Sequence, residues 1–206
     1  MRIYFVRHGL TRSNIEGLVQ DMHDTLTEKG MRQGEMLAQR LAGVNFTTLV
    51  SSDMQRARTT AEIIAKETGH TLVLSDLFRE FQYPNSLVGL AFTDPKVEEY
   101  RLAHAANSND LDWKFEDEQS LRELRERAKT ALEFAKAQPM DAVVVSHGRF
   151  LRHMILMHLF DGHITGEQEQ EANRRFLSSN TGITVFEKDA KDAWRLLSWN
   201  DHAHLG

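Results

Sequence analysis

The stretch "AVVVS", residues 142–146, leaves this chain few folds to choose from. Side chains on a strand alternate between the two faces of a sheet, so an unbroken run of alanine and valine offers no polar face to water. Such a strand is buried on both sides, which is the pattern of a parallel sheet covered by helices. Residues 2–6 show a similar apolar run at the N-terminus. Both runs end abruptly, the first on Arg7-His8-Gly9 and the second on Ser146-His147-Gly148.

The rest of the chain supplies what such a sheet needs. "FTTLVSS" (46–52) and "TLVL" (71–74) read as further strands, and 183–187 and 194–199 as two late ones. Helical patterns run from Thr27 to about Gly43 and from Asp53, read as an N-cap, to Gly69. A Ser120–Glu123 capping box opens a helix over 121–137, and another helix covers 149–160. Strands alternating with helices predict an α/β fold, a three-layer α/β/α sandwich around a mostly parallel sheet, in one domain spanning 1–206. Residues 81–119 hold two of the three prolines and read as an irregular lid inserted between strand and helix.

Composition excludes several classes. The 206 residues carry a net charge of −5 with no basic block, so nucleic acid is not an expected partner. No apolar run reaches the roughly 20 residues that span a bilayer, and no signal peptide is evident, so a cytoplasmic location is expected. Cysteine is absent, which removes disulfides, thiolate metal sites and thiol nucleophiles. No heptad or extended edge marks an oligomer, leaving monomer or homodimer open.

In parallel α/β sheets, ligands sit beyond the carboxyl ends of the strands. There His8 and His147 each follow a strand and precede a glycine, Gly9 or Gly148, that permits close approach. Arg7 adds a planar donor fork suited to phosphate oxygens. Arg56 lies in the first turn of a helix, where the dipole also favours an anion. Taken one at a time these residues are ordinary: His8 as a satisfied strand-end histidine, Arg58 on a solvated helix face, Glu80 as an exposed acid. Converging at one sheet edge, they describe a phosphate pocket.

The ordered set "RHGLTRSN" (7–14), "LTEKGMRQG" (26–34), "SSDMQRARTTA" (51–61), "LFRE" (77–80), "VVVSHG" (143–148) and "NDHAHL" (200–205) resembles the histidine phosphatase superfamily, also called the phosphoglycerate mutase-like family. The resemblance implies His8 as a nucleophile that carries a transient phosphohistidine. Arg7, Arg56 and His147 would grip the non-bridging oxygens, Asn14 would add a hydrogen bond, and Thr11, Gly9 and Gly148 would line the binding loop. Glu80 would donate the proton and then activate water. Side chains supply the positive charge, so no metal or cofactor is implied. His153, His158 and His163 lack metal-ligand spacing and read as ordinary, and neither His202 nor His204 is assigned a catalytic role.

Mutases of the family carry a Tyr-Gly-containing stretch and a basic cluster after the acid donor, whereas Glu80 precedes "FQYPNSLVGLAF". Residues 94–118 hold eight carboxylates against three lysines or arginines, which disfavours a second phosphate. The expected function is hydrolysis of a small phosphomonoester, a small phosphorylated metabolite. Phosphoryl transfer of the mutase type and a non-catalytic phosphate-binding member of the fold are the alternatives. Aromatic and aliphatic lid residues such as Phe81, Tyr83, Leu87 and Phe92 are expected mainly to pack the lid.

Overall fold

Six strands form one mixed sheet in the order β3-β2-β4-β1-β5-β6 in a computed structural model that describes residues 1–206. The strands are β1 (Arg2–Arg7), β2 (Thr48–Ser51), β3 (Leu72–Leu74), β4 (Ala142–Ser146), β5 (Ile183–Lys188) and β6 (Trp194–Asp201). β1 through β4 pair in parallel, while β5 and β6 join antiparallel at one edge. All five residues of β4 are buried, as a central strand covered on both faces must be.

The helices are α1 (Arg12–Glu16), α2 (Glu28–Leu41), α3 (Gln55–Thr68), α4 (Pro95–Ala106), α5 (Leu121–Lys136), α6 (Gly148–Leu159) and α7 (Gly166–Arg175). α2 and α3 pack on one face of the sheet, burying Leu37, Leu41, Ala57 and Ile64 against Val6, Leu49, Val143 and Val145. α5 and α6 cover the other face, where Leu124, Phe150 and Met154 meet Ile3, Phe5, Val144 and Phe186. Each buried leucine or phenylalanine contributes about 1.5–3 kcal/mol, and these two layers supply the core that fixes the strand ends.

Register carries the consequence for function. β1 and β4 are neighbours with Arg7 opposite Ser146, so the residues that follow, His8 and His147, leave the sheet side by side. Ser52 is drawn to the same edge, its N–H donating to Val145 O at 2.9 Å.

Two expectations need correction, and one helix had no counterpart among them. The lid is not irregular throughout: α4 lies within it, started by Asp94, whose carboxylate accepts from Lys96 N, and by Pro95 at the first position. Val19, Leu87, Val97 and Tyr100 form a small core of their own there, and Val19 and Gly89 exchange backbone hydrogen bonds with residues 90 and 19. Asp53 does not cap α3; Met54 stands at that position without a side-chain cap, and the Asp53 carboxylate takes both ends of the Arg79 guanidinium instead. α7 was not foreseen, although Thr165 and Gln168 form a capping box there; its sequence has too little apolar periodicity to read as a helix.

Candidate active site

His8 is 1% exposed and held at both ring nitrogens. Nδ1 lies 2.7 Å from the carbonyl oxygen of Gly9, and Nε2 lies 3.2 Å from Nε of Arg56. A carbonyl can only accept and a guanidinium can only donate. The ring is therefore protonated on Nδ1, and Nε2 presents its lone pair. Burial, then Arg56 and Arg7, hold its pKa well below the ordinary histidine value, so the neutral form prevails.

Gly9 is required by packing. A Cβ there would stand 2.6 Å from Gly30 O, and one on Gly30 would stand 2.1 Å from Leu10 O. The loop after β1 thus crosses the start of α2 backbone against backbone, and Gly9 N donates to Thr60 Oγ1 at 3.0 Å. Gly148 is tight for a related reason, since a Cβ would meet Nε of Arg7 at 3.2 Å.

His147 sits beside His8, with ring centroids 5.2 Å apart. Its Nε2 lies 2.8 Å from Ser52 Oγ, while its buried Nδ1 has no protein partner. Burial, then the charge of Arg56, keeps it neutral by pushing its pKa well down.

Arg56 is fully buried at the start of α3, donating to Asp21 O at 2.7 Å as well as to His8. Arg7 donates to Ser178 O. Burial pushes its pKa down to about 10, with Glu80 opposing, so it remains cationic near neutral pH. Its buried Nε is without a partner.

Glu80 is fixed at the N-terminus of α6. Oε1 accepts from Phe150 N at 2.8 Å and Phe81 N at 2.9 Å, and Oε2 accepts from Arg149 N at 3.1 Å. The helix end thus holds the carboxyl group within the field of Arg7 and Arg56. Arg127 of α5 clamps the segment from behind, donating to the carbonyls of Leu77, Arg79 and Glu80 at 2.7–3.2 Å.

Thr11 and Asn14 are placed differently. Thr11 is fully buried and caps α1, accepting from Asn14 N at 3.2 Å and Gln20 Nε2 at 2.7 Å. Asn14 Oδ1 accepts from Thr11 N and from Asn180 Nδ2, and Asn180 also donates to His8 O at 3.0 Å. This orients Asn14 so that its amide N–H groups are its free end.

His202 and His204 lie outside the cluster; His204 contacts Thr181 and Arg40 instead. His153 faces Glu169 across α6 and α7 at 2.8 Å. Sequence reasoning missed Ser52 and Asn180. Ser52 lay within the quoted "SSDMQRARTTA", but Asn180 had no signal, because only the pairing of β1 with β5 brings residues 180–182 beside His8.

A family model described as the histidine phosphatase superfamily (branch 1) matches residues 3–202. The chain belongs to the histidine phosphatase superfamily. It is 32% identical to a probable phosphoglycerate mutase, GpmB, of Escherichia coli over 151 residues, which cover 72% of this chain and 70% of the relative. Among solved structures it resembles a mutant phosphoserine phosphatase from Entamoeba histolytica in complex with phosphoserine, at 26% identity and a TM-score of 0.78, covering 99% of this chain and 98% of that one. A mycobacterial glucosyl-3-phosphoglycerate phosphatase shares the fold at 23% identity and a TM-score of 0.77, covering 97% and 98% of the two chains. Members of this superfamily with such names are phosphatases and mutases, and the fold observed here is theirs. No helix of this chain is long and apolar enough to cross a membrane.

Proposed function

We propose that this protein hydrolyses a small phosphomonoester by way of a phosphohistidine on His8. The observation that carries this reading is the hydrogen bond from His8 Nδ1 to Gly9 O, which leaves a neutral ring with Nε2 unprotonated. A neutral imidazole nitrogen is a competent nucleophile near pH 7.

Nε2 attacks phosphorus while the bond to the ester oxygen breaks, and Glu80 gives its proton to that leaving oxygen. Arg7, Arg56 and His147 Nδ1 stabilise charge spread over the non-bridging oxygens, as phosphoryl transfer demands. Arg56 exchanges its hydrogen bond to His8 for one to the phosphate as the substrate enters. Glu80 then takes a proton from water, the hydroxide attacks phosphorus, the P–N bond breaks, and inorganic phosphate leaves.

Mutase transfer differs only in the acceptor, a second substrate oxygen in place of water. The acidic lid argues less strongly against it than a charge count implies. Glu116 and Asp112 are held in ion pairs with Lys96 and Arg122, and Glu118 is buried in hydrogen-bond contact with His104. Hydrolysis is favoured here because no basic cluster follows Glu80 in the chain.

The test is release of inorganic phosphate from an aryl phosphate between pH 4.5 and 8 with chelator present, for wild type and His8→Ala. Acid-labile phosphate should be trapped on wild-type protein alone. Interconversion of 3- and 2-phosphoglycerate without phosphate release, assayed alongside, would replace hydrolysis with mutase chemistry.

A further inference from the structure

Arg149 reaches the carboxyl group of Glu80 along two routes. Its main-chain N–H donates to Glu80 Oε2 at 3.1 Å. Its guanidinium lies over the ring of Phe81, 3.6 Å from the centroid, and the N–H of Phe81 donates to Glu80 Oε1 at 2.9 Å. The side chain of Arg149 therefore bears on the residue that directly follows the acid. A planar cation stacked on an aromatic face fixes the ring as well as the guanidinium.

The same guanidinium meets two other parts of the fold. Tyr83 and Tyr100 face it from the lid, and Glu169 faces it from α7. Tyr100 and Glu169 are both buried. Burial would raise the pKa of Glu169, but His153, Arg149 and Arg125 hold it below the ordinary carboxylate value, so it stands as a counter-charge. Buried charges are little screened.

These partners are in turn fastened to the lid. Tyr100 is the hub of its aromatic packing, with ring centroids 4.6 Å from His104, 5.5 Å from Phe115 and 6.0 Å from Tyr83. α7 abuts the lid backbone against backbone, since a Cβ on Gly166 would stand 1.9 Å from Ser108 O. Gln170 Nε2 of α7 also donates to His104 O at 3.4 Å. Lid, α7 and the start of α6 thus converge on one side chain beside the acid.

We infer that Arg149 is a positioning residue for Glu80: held by Tyr100 of the lid and Glu169 of α7, its guanidinium pins Phe81 and so fixes the aim of the proton donor. Without that guanidinium the carboxyl group turns from the leaving oxygen, while the histidines and arginines that grip the phosphate stay in place. This inference rests on the reading of Glu80 as the proton donor, and it adds what ties that donor to the lid.

The test uses two phosphomonoesters that need the proton to different degrees. An alkoxide is a far poorer leaving group than a nitrophenolate, so glycerol 3-phosphate depends on the acid and p-nitrophenyl phosphate hardly does. The constant compared is kcat/KM, which covers the steps through departure of the leaving group and not the later hydrolysis of phosphohistidine. Arg149→Met should lower it by about tenfold or more for glycerol 3-phosphate, and by less than about threefold for the aryl ester. Tyr100→Phe and Glu169→Gln should show the same selectivity to a smaller degree, and Tyr100→Phe carries the comparison if Arg149→Met does not fold. Equal losses on both esters, or none, would overturn the inference, because a role in folding or phosphate binding slows both alike. Glu80→Gln is the control. A selective loss there beside an equal loss in Arg149→Met sinks the positioning role alone, whereas equal losses in Glu80→Gln remove Glu80 as donor and the inference with it. A crystal structure of Arg149→Met reads the aim without turnover, and so serves even if wild type hydrolyses neither ester. Glu80 should there leave its single orientation; a carboxyl group still seated on the N–H groups of Phe81, Arg149 and Phe150 would overturn the inference.

Discussion

His147 Nε2 lies 2.8 Å from Ser52 Oγ, and that contact decides which nitrogen of His147 carries the proton. Ser52 Oγ already accepts from Met54 N at 3.2 Å and has no other acceptor for its own hydrogen. The hydroxyl therefore donates to Nε2, which leaves Nδ1 as the N–H of a neutral ring. Nδ1 is the buried nitrogen with no partner, a donor waiting for a non-bridging phosphate oxygen.

Ser52→Ala should accordingly lower kcat by about tenfold, the value of one oriented hydrogen bond in the transition state. The fold should be kept, because the change leaves only a small void. The check is kcat on an aryl phosphate together with 15N shifts of His147, which should show the Nδ1–H tautomer in wild type and a mixture in the variant. An unchanged tautomer would remove Ser52 from the account.

Acid should destabilise the protein through its two site histidines. Burial holds His8 and His147 below the ordinary value near 6.5. Between the folded values and 6.5 the unfolded chain binds more protons, so stability rises with pH in that window. The contribution is complete above about pH 6.5 and is lost as pH falls toward the folded values. Urea midpoints between pH 7.5 and 5 should fall, and the slope should be smaller in His147→Asn. Equal slopes for both proteins would show that His147 titrates alike in both states.

Gly30→Ala should destabilise even though alanine is the better helix former. The added methyl would meet the Leu10 carbonyl at 2.1 Å, backbone against backbone, so neither partner can rotate away. A loss of about 1–3 kcal/mol is expected, or a Tm lower by roughly 2–12 °C. Turnover should fall as well, because Leu10 continues the loop that aims His8. Calorimetry of the variant checks the first and its kcat the second.

Arg127→Lys should lower kcat more than it raises KM. The guanidinium holds three carbonyls of residues 77–80 and the Gln119 side chain at once, a fork that an ammonium cannot reproduce. Glu80 then loses its fixed aim rather than its chemistry, with an expected loss in kcat of about tenfold. Steady-state kinetics on one substrate separates the two constants, and a rise in KM alone would assign Arg127 to binding.

The amino-acid sequence by itself determined the sheet-forming runs, the covered central strand and the loops at their ends. These properties are local: β-branched runs alternate across a sheet, a capping box starts a helix, and Arg-His-Gly after a strand points at an anion. It also supplied His8, Arg7, Arg56, Glu80 and His147 as candidates, since their residue types and order carry the family resemblance. Only the tertiary structure decided how they are used. The pairing of Arg7 with Ser146 set the two histidines side by side. Chain reversal through β5 brought Asn180 to the back of His8. Packing of α6 against Glu80 turned an acidic residue in a loop into one held by a helix N-terminus. Asp53 was lost as a cap because Arg79, 26 residues away, offered its carboxylate a two-armed partner. Such contacts join residues distant along the chain, and desolvation gives them their strength, so no local pattern of residues announces them.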